Sequence, residues 1–216
     1  MITHRRGHNF LSKGAKHFID EVEEAEKVNK AINKYMDILN IKHKDVTPEN
    51  MSSSSDLAYG VKKANDLKST LFFSIHFNSS TPTQKNVGCE VWTYNNKNMS
   101  EAINVCSALS RLGFKNRGVK TNESFYELRN TISKAMIIEI CFVSSQTDVD
   151  LYKKVGSDVI GRTIVEAITN KKIPYETKKG VYRVITDSFS NKDNAIKKQN
   201  ELRKLGIESF LEFKEI

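Results

Sequence analysis

Apolar residues recur along the chain with two periods, and segments of each kind alternate. Met136-Ile137-Ile138-Glu139-Ile140-Cys141-Phe142-Val143 is an apolar run with one carboxylate inside it and polar residues around it, which reads as a buried strand. In Leu71 to Asn78, the residues Leu71, Phe73, Ile75 and Phe77 alternate with Phe72, Ser74, His76 and Asn78. A strand there sets His76 and Asn78 on one face, and the following Ser79-Ser80-Thr81-Pro82 places them at its C-terminal end. Gly88 to Tyr94 is a further strand, Lys44 to Pro48 a short one ending at proline, and the residues before Gly7 could form an edge strand. The helical period runs over Asp20 to Leu39, where Val22, Ala25, Val28, Ile32, Tyr35, Met36 and Leu39 share a face. It returns from about Asp56 to Leu67, with Ser55 or Asp56 as cap, then over Met99–Leu112, Asp148–Lys153 and Asp158–Asn170. Phe125 to Arg129 reads as a short strand or extended loop. Strands and helices in alternation predict an α/β sheet with helices on both faces.

Lys171 to Gly180 is polar and carries Pro174 and Gly180, as a linker does. The expected organisation is a first domain over 1–172, a linker over 173–180 and a unit over 181–216. In that last unit Val181–Ile185 reads as a strand, Asn191–Leu205 as an amphipathic helix and Ile207–Phe213 as a second strand. Such a β-α-β unit of 36 residues is below the size at which a domain usually folds alone.

Composition narrows the function classes. The chain has 216 residues and a net charge of +8, which favours anionic polymers such as nucleic acid or a teichoic acid-bearing Gram-positive wall. No basic stripe interleaved with aromatics marks a nucleic-acid binder. Three cysteines, Cys89, Cys106 and Cys141, without CxxC spacing exclude a disulfide framework or thiolate zinc site. Cys141, two residues after Glu139, is expected on the same strand face as a buried free thiol. No run approaches a membrane span, and Met1 to His8 lacks the apolar core of a signal peptide. The expected location is therefore the cytoplasm on synthesis, with any action outside following release.

The candidate chemistry sits at strand ends and one helix start. A glutamate in a buried strand needs a partner, a proton or a cation; Glu139 faces either a bound metal and water or solvent at the strand terminus. Gly7-His8 offers an imidazole at a strand end. His76 is either a site residue or a satisfied core histidine. Glu21, Glu23, Glu24 and Glu26 crowd the start of the first helix, which suits its dipole. At roughly 100° per residue, Glu21 lies near the middle of the apolar stripe and Glu24 on its flank, so Glu21 is the first candidate ligand and Glu24 the second. Zinc hydrolases favour three protein ligands with one open position, and a further carboxylate can take the water's proton.

The ordered segments GHNF, IDEVEEAEKV, SSSSDLAYGVKKAN, SIHFNSS, NRGVK, ELRNT and IIEICFVSS resemble the zinc-dependent N-acetylmuramoyl-L-alanine amidases, especially the catalytic domains of phage endolysins and autolysins of Gram-positive spore-formers. The resemblance covers about residues 1 to 170. It implies a twisted, mostly parallel central sheet and cleavage of the amide between the lactyl group of N-acetylmuramic acid and L-alanine in peptidoglycan. It implies zinc (Zn2+) ligands at His8, Glu21 and His76, a catalytic carboxylate at Glu139, and substrate contacts at Arg129 and Asn130, with Asn78 beside them. The polar run Thr3-His4-Arg5-Arg6 departs from the family's apolar first strand.

Tyr182 to Ser190 with Asn194-Ala195 resembles one half of a sporulation-related peptidoglycan-binding repeat. That half is expected to anchor to the wall, to complete a module with a second copy as a homodimer, or to pack on the first domain. The activity implied is zinc-assisted amide hydrolysis serving host-cell lysis. The rival reading is an inactive binder of cell wall or anionic polymer. No nucleic-acid partner and no transmembrane segment are expected.

Overall fold

The alternating pattern folds into a six-stranded sheet with helices on both faces. The computed structural model describes residues 1–174 and 187–213. Its strands are β1 (Ile2–Arg6), β2 (His43–Asp45), β3 (Leu71–Asn78), β4 (Cys89–Thr93), β5 (Asn116–Thr121) and β6 (Lys134–Phe142). Its helices are α1 (Glu21–Ile38), α2 (Ser53–Asp66), α3 (Ser100–Arg111), α4 (Tyr126–Asn130), α5 (Gln146–Val155), α6 (Ser157–Thr169) and α7 (Lys192–Lys204). The sheet order is β2-β1-β3-β6-β4-β5. Only the β4–β6 pair is antiparallel; the other neighbours are parallel.

Alternation along each strand divides the side chains between two layers. Phe73 and Ile75 of β3, Val91 of β4 and Met136 and Ile138 of β6 join Val28, Ile32, Leu109 and Ile164 in the main apolar cluster, under α1, α3 and α6. The opposite face holds a smaller cluster, in which Phe72, Ala135 and Ile137 meet Ala64 of α2 and Leu128 of α4.

Three expectations change, and one strand, β5, is not announced by the pattern. β1 is not at the edge but lies between β2 and β3. Its polar side chains are tolerated there because each finds a partner: Thr3 bonds Ser69, His4 bonds Asn29 and His43, Arg5 pairs with Asp56 and Glu127, and Arg6 pairs with Glu26. The segment from Phe125 is a short helix, α4, because Leu128 and Glu127 turn inward together, a spacing that a strand would split. β5 has no apolar alternation to announce it; Val119 is its main contact with the core. Cys141 leaves the face of Glu139, because β6 carries an extra residue where His76 pairs with Glu139 but Asn78 pairs with Phe142. Ile140 and Cys141 both join the main apolar cluster, and Cys141 is a buried free thiol.

The chain divides into two compact units, Met1–Pro174 and Tyr175–Ile216. At the end of the first, Ile173 is buried and its N–H donates to Glu166 Oε1 at 3.0 Å, so the chain turns back on α6. In the second, Asn191 caps α7 by accepting from the N–H groups of Asp193 and Asn194. The expected strand Val181–Ile185 lies outside the described residues. The pairing expected of Ile207–Phe213 would be with that segment and lies outside the described residues with it.

Candidate metal centre

β1, β3 and β6 run parallel, so their C-terminal ends reach one edge of the sheet, where sites form in open α/β folds. Gly7 N–H still bonds Ile75 O at 2.8 Å, holding the chain to β3 one residue past β1. His8 then adopts φ 60°, a left-handed conformation uncommon for a side-chain-bearing residue. Strain of this kind clusters at functional sites. Here it turns the chain away from the sheet with the imidazole beside His76, the two rings edge-on with centroids 5.1 Å apart. Space for them comes from glycine. A Cβ on Gly7 would lie 2.2 Å from His76 Cε1, and one on Gly14 2.5 Å from His8 Cδ2.

Glu21 enters from the first residue of α1. Ala15 N–H donates to its Oε2 at 2.7 Å and Phe77 N–H to its Oε1 at 3.1 Å. Oε1 lies 3.1 Å from His76 Nδ1 and 3.5 Å from His8 Nε2. One ligand atom from each of His8, Glu21 and His76 falls within 4.8 Å of the others. A tetrahedral zinc with ligands at about 2.0–2.2 Å would hold them about 3.3 Å apart, close to the spacings around Glu21 Oε1. Glu24 is directed elsewhere: its oxygens take Tyr152 Oη at 2.9 Å and Lys27 Nζ at 2.8 Å. Glu26 pairs with Arg6 and Lys30.

Glu139 is the pairing partner of His76 across β3–β6. Burial lifts its carboxyl to about 7, with Glu21 and Glu90 adding to the shift and His76 opposing it. Burial disfavours a charge on His76, yet its bond to Glu21 and the carboxylates of Glu139, Glu21 and Glu127 carry it up to about 9. Burial, with the neighbouring His76, pushes His8 down. Glu21 stays below the usual glutamate range: burial works against it, but His76, His8 and the Ala15 N–H prevail. His76 Nε2 and Glu139 Oε2 are buried without a hydrogen-bond partner. Carboxylates gathered around two imidazoles, with buried polar atoms unspent, suit a divalent cation.

Behind this cluster, Arg5 is fully buried between Asp56 and Glu127, 2.6 Å from Glu127 Oε1. Burial opposes the Arg5 charge, but the two carboxylates raise its proton affinity further. Ser74 Oγ donates to Glu127 Oε2 at 2.7 Å, and that oxygen lies 3.9 Å from His76 Nε2. Asn9 Nδ2 donates to Asp56 Oδ1 at 3.0 Å. Sequence reasoning passed over Glu127 and Asp56. The signal for them is the polar strand β1, since a buried Arg5 requires carboxylates somewhere.

Of the three expected substrate contacts, Asn78 sits at the site edge and donates to Glu90 Oε1 at 2.9 Å. Arg129 and Asn130 are exposed on α4. Asn130 donates to Tyr126 O, and its carbonyl accepts from Asn65 of α2. The inward-facing residue of α4 beside His76 is Glu127.

A profile of the family described as N-acetylmuramoyl-L-alanine amidase matches residues 5–170. An uncharacterized protein of Clostridium perfringens strain 13 is 43% identical over 176 residues, covering 80% of this chain and 52% of its own. An uncharacterized 38.4 kDa protein of C. perfringens is 38% identical over 212 residues, covering 96% and 62%. The chain thus spans about half to three-fifths of the length of these relatives. Among solved structures, the catalytic domain of the CD27L endolysin targeting Clostridia difficile superposes with a TM-score of 0.72 at 27% identity, covering 80% of this chain and 98% of that one. The amidase AmiC2 of Nostoc punctiforme gives 0.70 at 20% identity, covering 79% and 96%, a likeness of fold. Among the described residues no helix is long and apolar enough to cross a membrane.

Proposed function

The chain belongs to the N-acetylmuramoyl-L-alanine amidase family, and from that premise we propose that it hydrolyses the amide between the lactyl group of N-acetylmuramic acid and L-alanine in peptidoglycan, with zinc held by His8, Glu21 and His76. The observation that carries the reading is the convergence of those three donors within 4.8 Å, with Glu139 paired to His76 on the next strand. Zinc in such a site supplies Lewis-acid polarisation of the carbonyl and an acidified water.

The protein's own residues do the rest. Glu139, whose carboxyl is raised by burial, takes the proton of the attacking water and returns it to the departing amine of L-alanine, as a general base and then a general acid. Glu21 is fixed by two backbone N–H groups, so its carboxylate need not reorganise. Glu127, anchored by Arg5 and Ser74, sets a carboxylate 3.9 Å from the far nitrogen of His76, the position from which an outer partner would orient a ligating histidine. The likeness to an endolysin catalytic domain supports lysis of a Gram-positive host cell as the setting.

The test uses purified Gram-positive walls. The wild type should release soluble fragments whose mass spectra show a free lactyl carboxyl and a free N-terminal L-alanine, and a chelator should stop it. Glu139→Gln should retain bound zinc and lose about 10³-fold or more in rate, beyond what general acid–base catalysis alone supplies at its lower end. His76→Ala should lose the metal. Near-normal turnover by Glu139→Gln, or wall binding without peptide release by the wild type, would overturn the reading.

A further inference from the structure

β5 is irregular where it borders β4. Cys89 pairs with Asn116 but Val91 with Val119, so β5 holds an extra residue at Arg117-Gly118. Gly118 takes φ +78°, a left-handed conformation that glycine adopts without a Cβ clash. Residues three apart in a regular strand point to opposite faces. The bulge returns Arg117 and Lys120 to the same face, where both meet one oxygen. Arg117 Nε lies 2.6 Å and Lys120 Nζ 2.5 Å from Glu90 Oε2.

The other oxygen of Glu90 accepts from Asn78 Nδ2 at 2.9 Å and Trp92 Nε1 at 3.1 Å. That buried carboxylate is saturated, and it cannot neutralise two cations. Arg117 and Lys120 have no second carboxylate partner among the described residues. Their side chains are 31% and 32% exposed and lie over the rings of Phe142 and Trp92. Glu90 is opposite Glu139, and Glu139 is opposite His76. The surplus positive charge therefore ends a row that begins at the candidate metal centre. Arg117 and Lys120 bring their charges back to Glu90, one strand spacing of about 4.8 Å beyond Glu139.

We propose that Arg117 and Lys120 form a subsite for a carboxylate of the peptide that leaves on cleavage; this rests on the amidase reading. In that substrate the muramic carboxyl is tied up in the amide being cut, and the N-acetylated sugars are uncharged. The peptide carries the anions. One strand spacing is the reach of roughly one to two extended residues, which places the recognised carboxylate within the first two residues beyond the cleaved bond. Glu90 is a positioning residue: it holds both cations at the rim while leaving one charge over.

The full chain, loaded with zinc, is assayed on two soluble muramoyl-peptides identical except that the peptide carboxylates are free or amidated. The wild type should prefer the free form, and added salt should shrink the preference. R117Q/K120Q should lose about 10- to 100-fold in kcat/KM on the free form, mostly through KM, the range of a lost charge-assisted hydrogen bond. Its loss on the amidated form should be at least tenfold smaller. E90Q/R117Q/K120Q, which strands no buried charge, should lose the same discrimination and guards against misfolding. Equal cleavage of both substrates by the wild type, or equal losses on both in the variants, would mean that the cations only neutralise Glu90 and would overturn the proposal. Retained discrimination with lost binding to teichoic acid-bearing walls would overturn it in favour of a phosphate polymer. If the wild type cuts neither substrate, the amidase reading itself fails, an outcome distinct from a subsite that is absent.

Discussion

The face of the sheet under α1, α3 and α6 is made of Phe73, Ile75, Met136 and Ile138. The opposite face of the same strands sets Arg5, Asp56, Glu127 and Ser74 behind His76 and Glu139. Burying each large apolar side chain on the first face contributes about 1.5–3 kcal/mol. The buried ions on the second recover their desolvation cost at best, so they add little net stability. What they add is geometry: Arg5 is held from two sides, and Glu127 is held in turn beside the His76 ring. The first face carries most of the apolar burial, and the second, beside its smaller apolar cluster, carries the ion network behind the candidate site.

Four changes would break or sharpen that contrast. Phe73→Ala, on the fully buried apolar face, should cost about 3–5 kcal/mol in urea denaturation, while the protein that remains folded binds zinc as before. Loss of zinc affinity there would mean the faces are not separable. Arg5→Met should cost a similar 3–5 kcal/mol, because it strands two buried carboxylates, and should also weaken zinc by about 10- to 100-fold through Glu127. A chelator competition titration reads the second effect; unchanged zinc affinity would cut the link between the ion cluster and the site. Ile138→Val should cost only about 0.5–1.5 kcal/mol, with turnover kept.

The smallest effect concerns His4, a polar residue that β1 turns toward α1. Burial lowers its pKa from 6.5, with Asp45 and Asn29 opposing and His43 adding. A histidine whose folded pKa lies below its unfolded value contributes stability above the unfolded value and loses it as the pH falls through the folded one. The urea midpoint should therefore decline as the pH drops below 6.5, and His4→Asn should flatten that decline. An unchanged slope would remove His4 from the account.

Strands β3 and β6 and helices α1, α3 and α6 were legible because their burial is one-sided or complete, and apolar periodicity records it locally. The same local signal brought out His8, Glu21, His76 and Glu139: each is a polar residue at a strand end or on an apolar face. It failed for β5, an edge strand whose NRGVKT has little to bury, and for α4, too short at five residues to display a helical period. Local spacing also left Glu21 and Glu24 in competition. Tyr152, 128 residues from Glu24, draws one of them away.

The order of apolar and polar residues by itself determined the α/β class, the central strands and a short set of candidate side chains, since those depend on neighbours within a few positions. The tertiary structure alone decided which charges meet. Arg5 and Glu127 are 122 residues apart, and Arg117 and Glu90 are 27. A bulge of one residue decides which face a cation occupies. Electrostatic partnership depends on distance in space, and a linear pattern does not carry that distance.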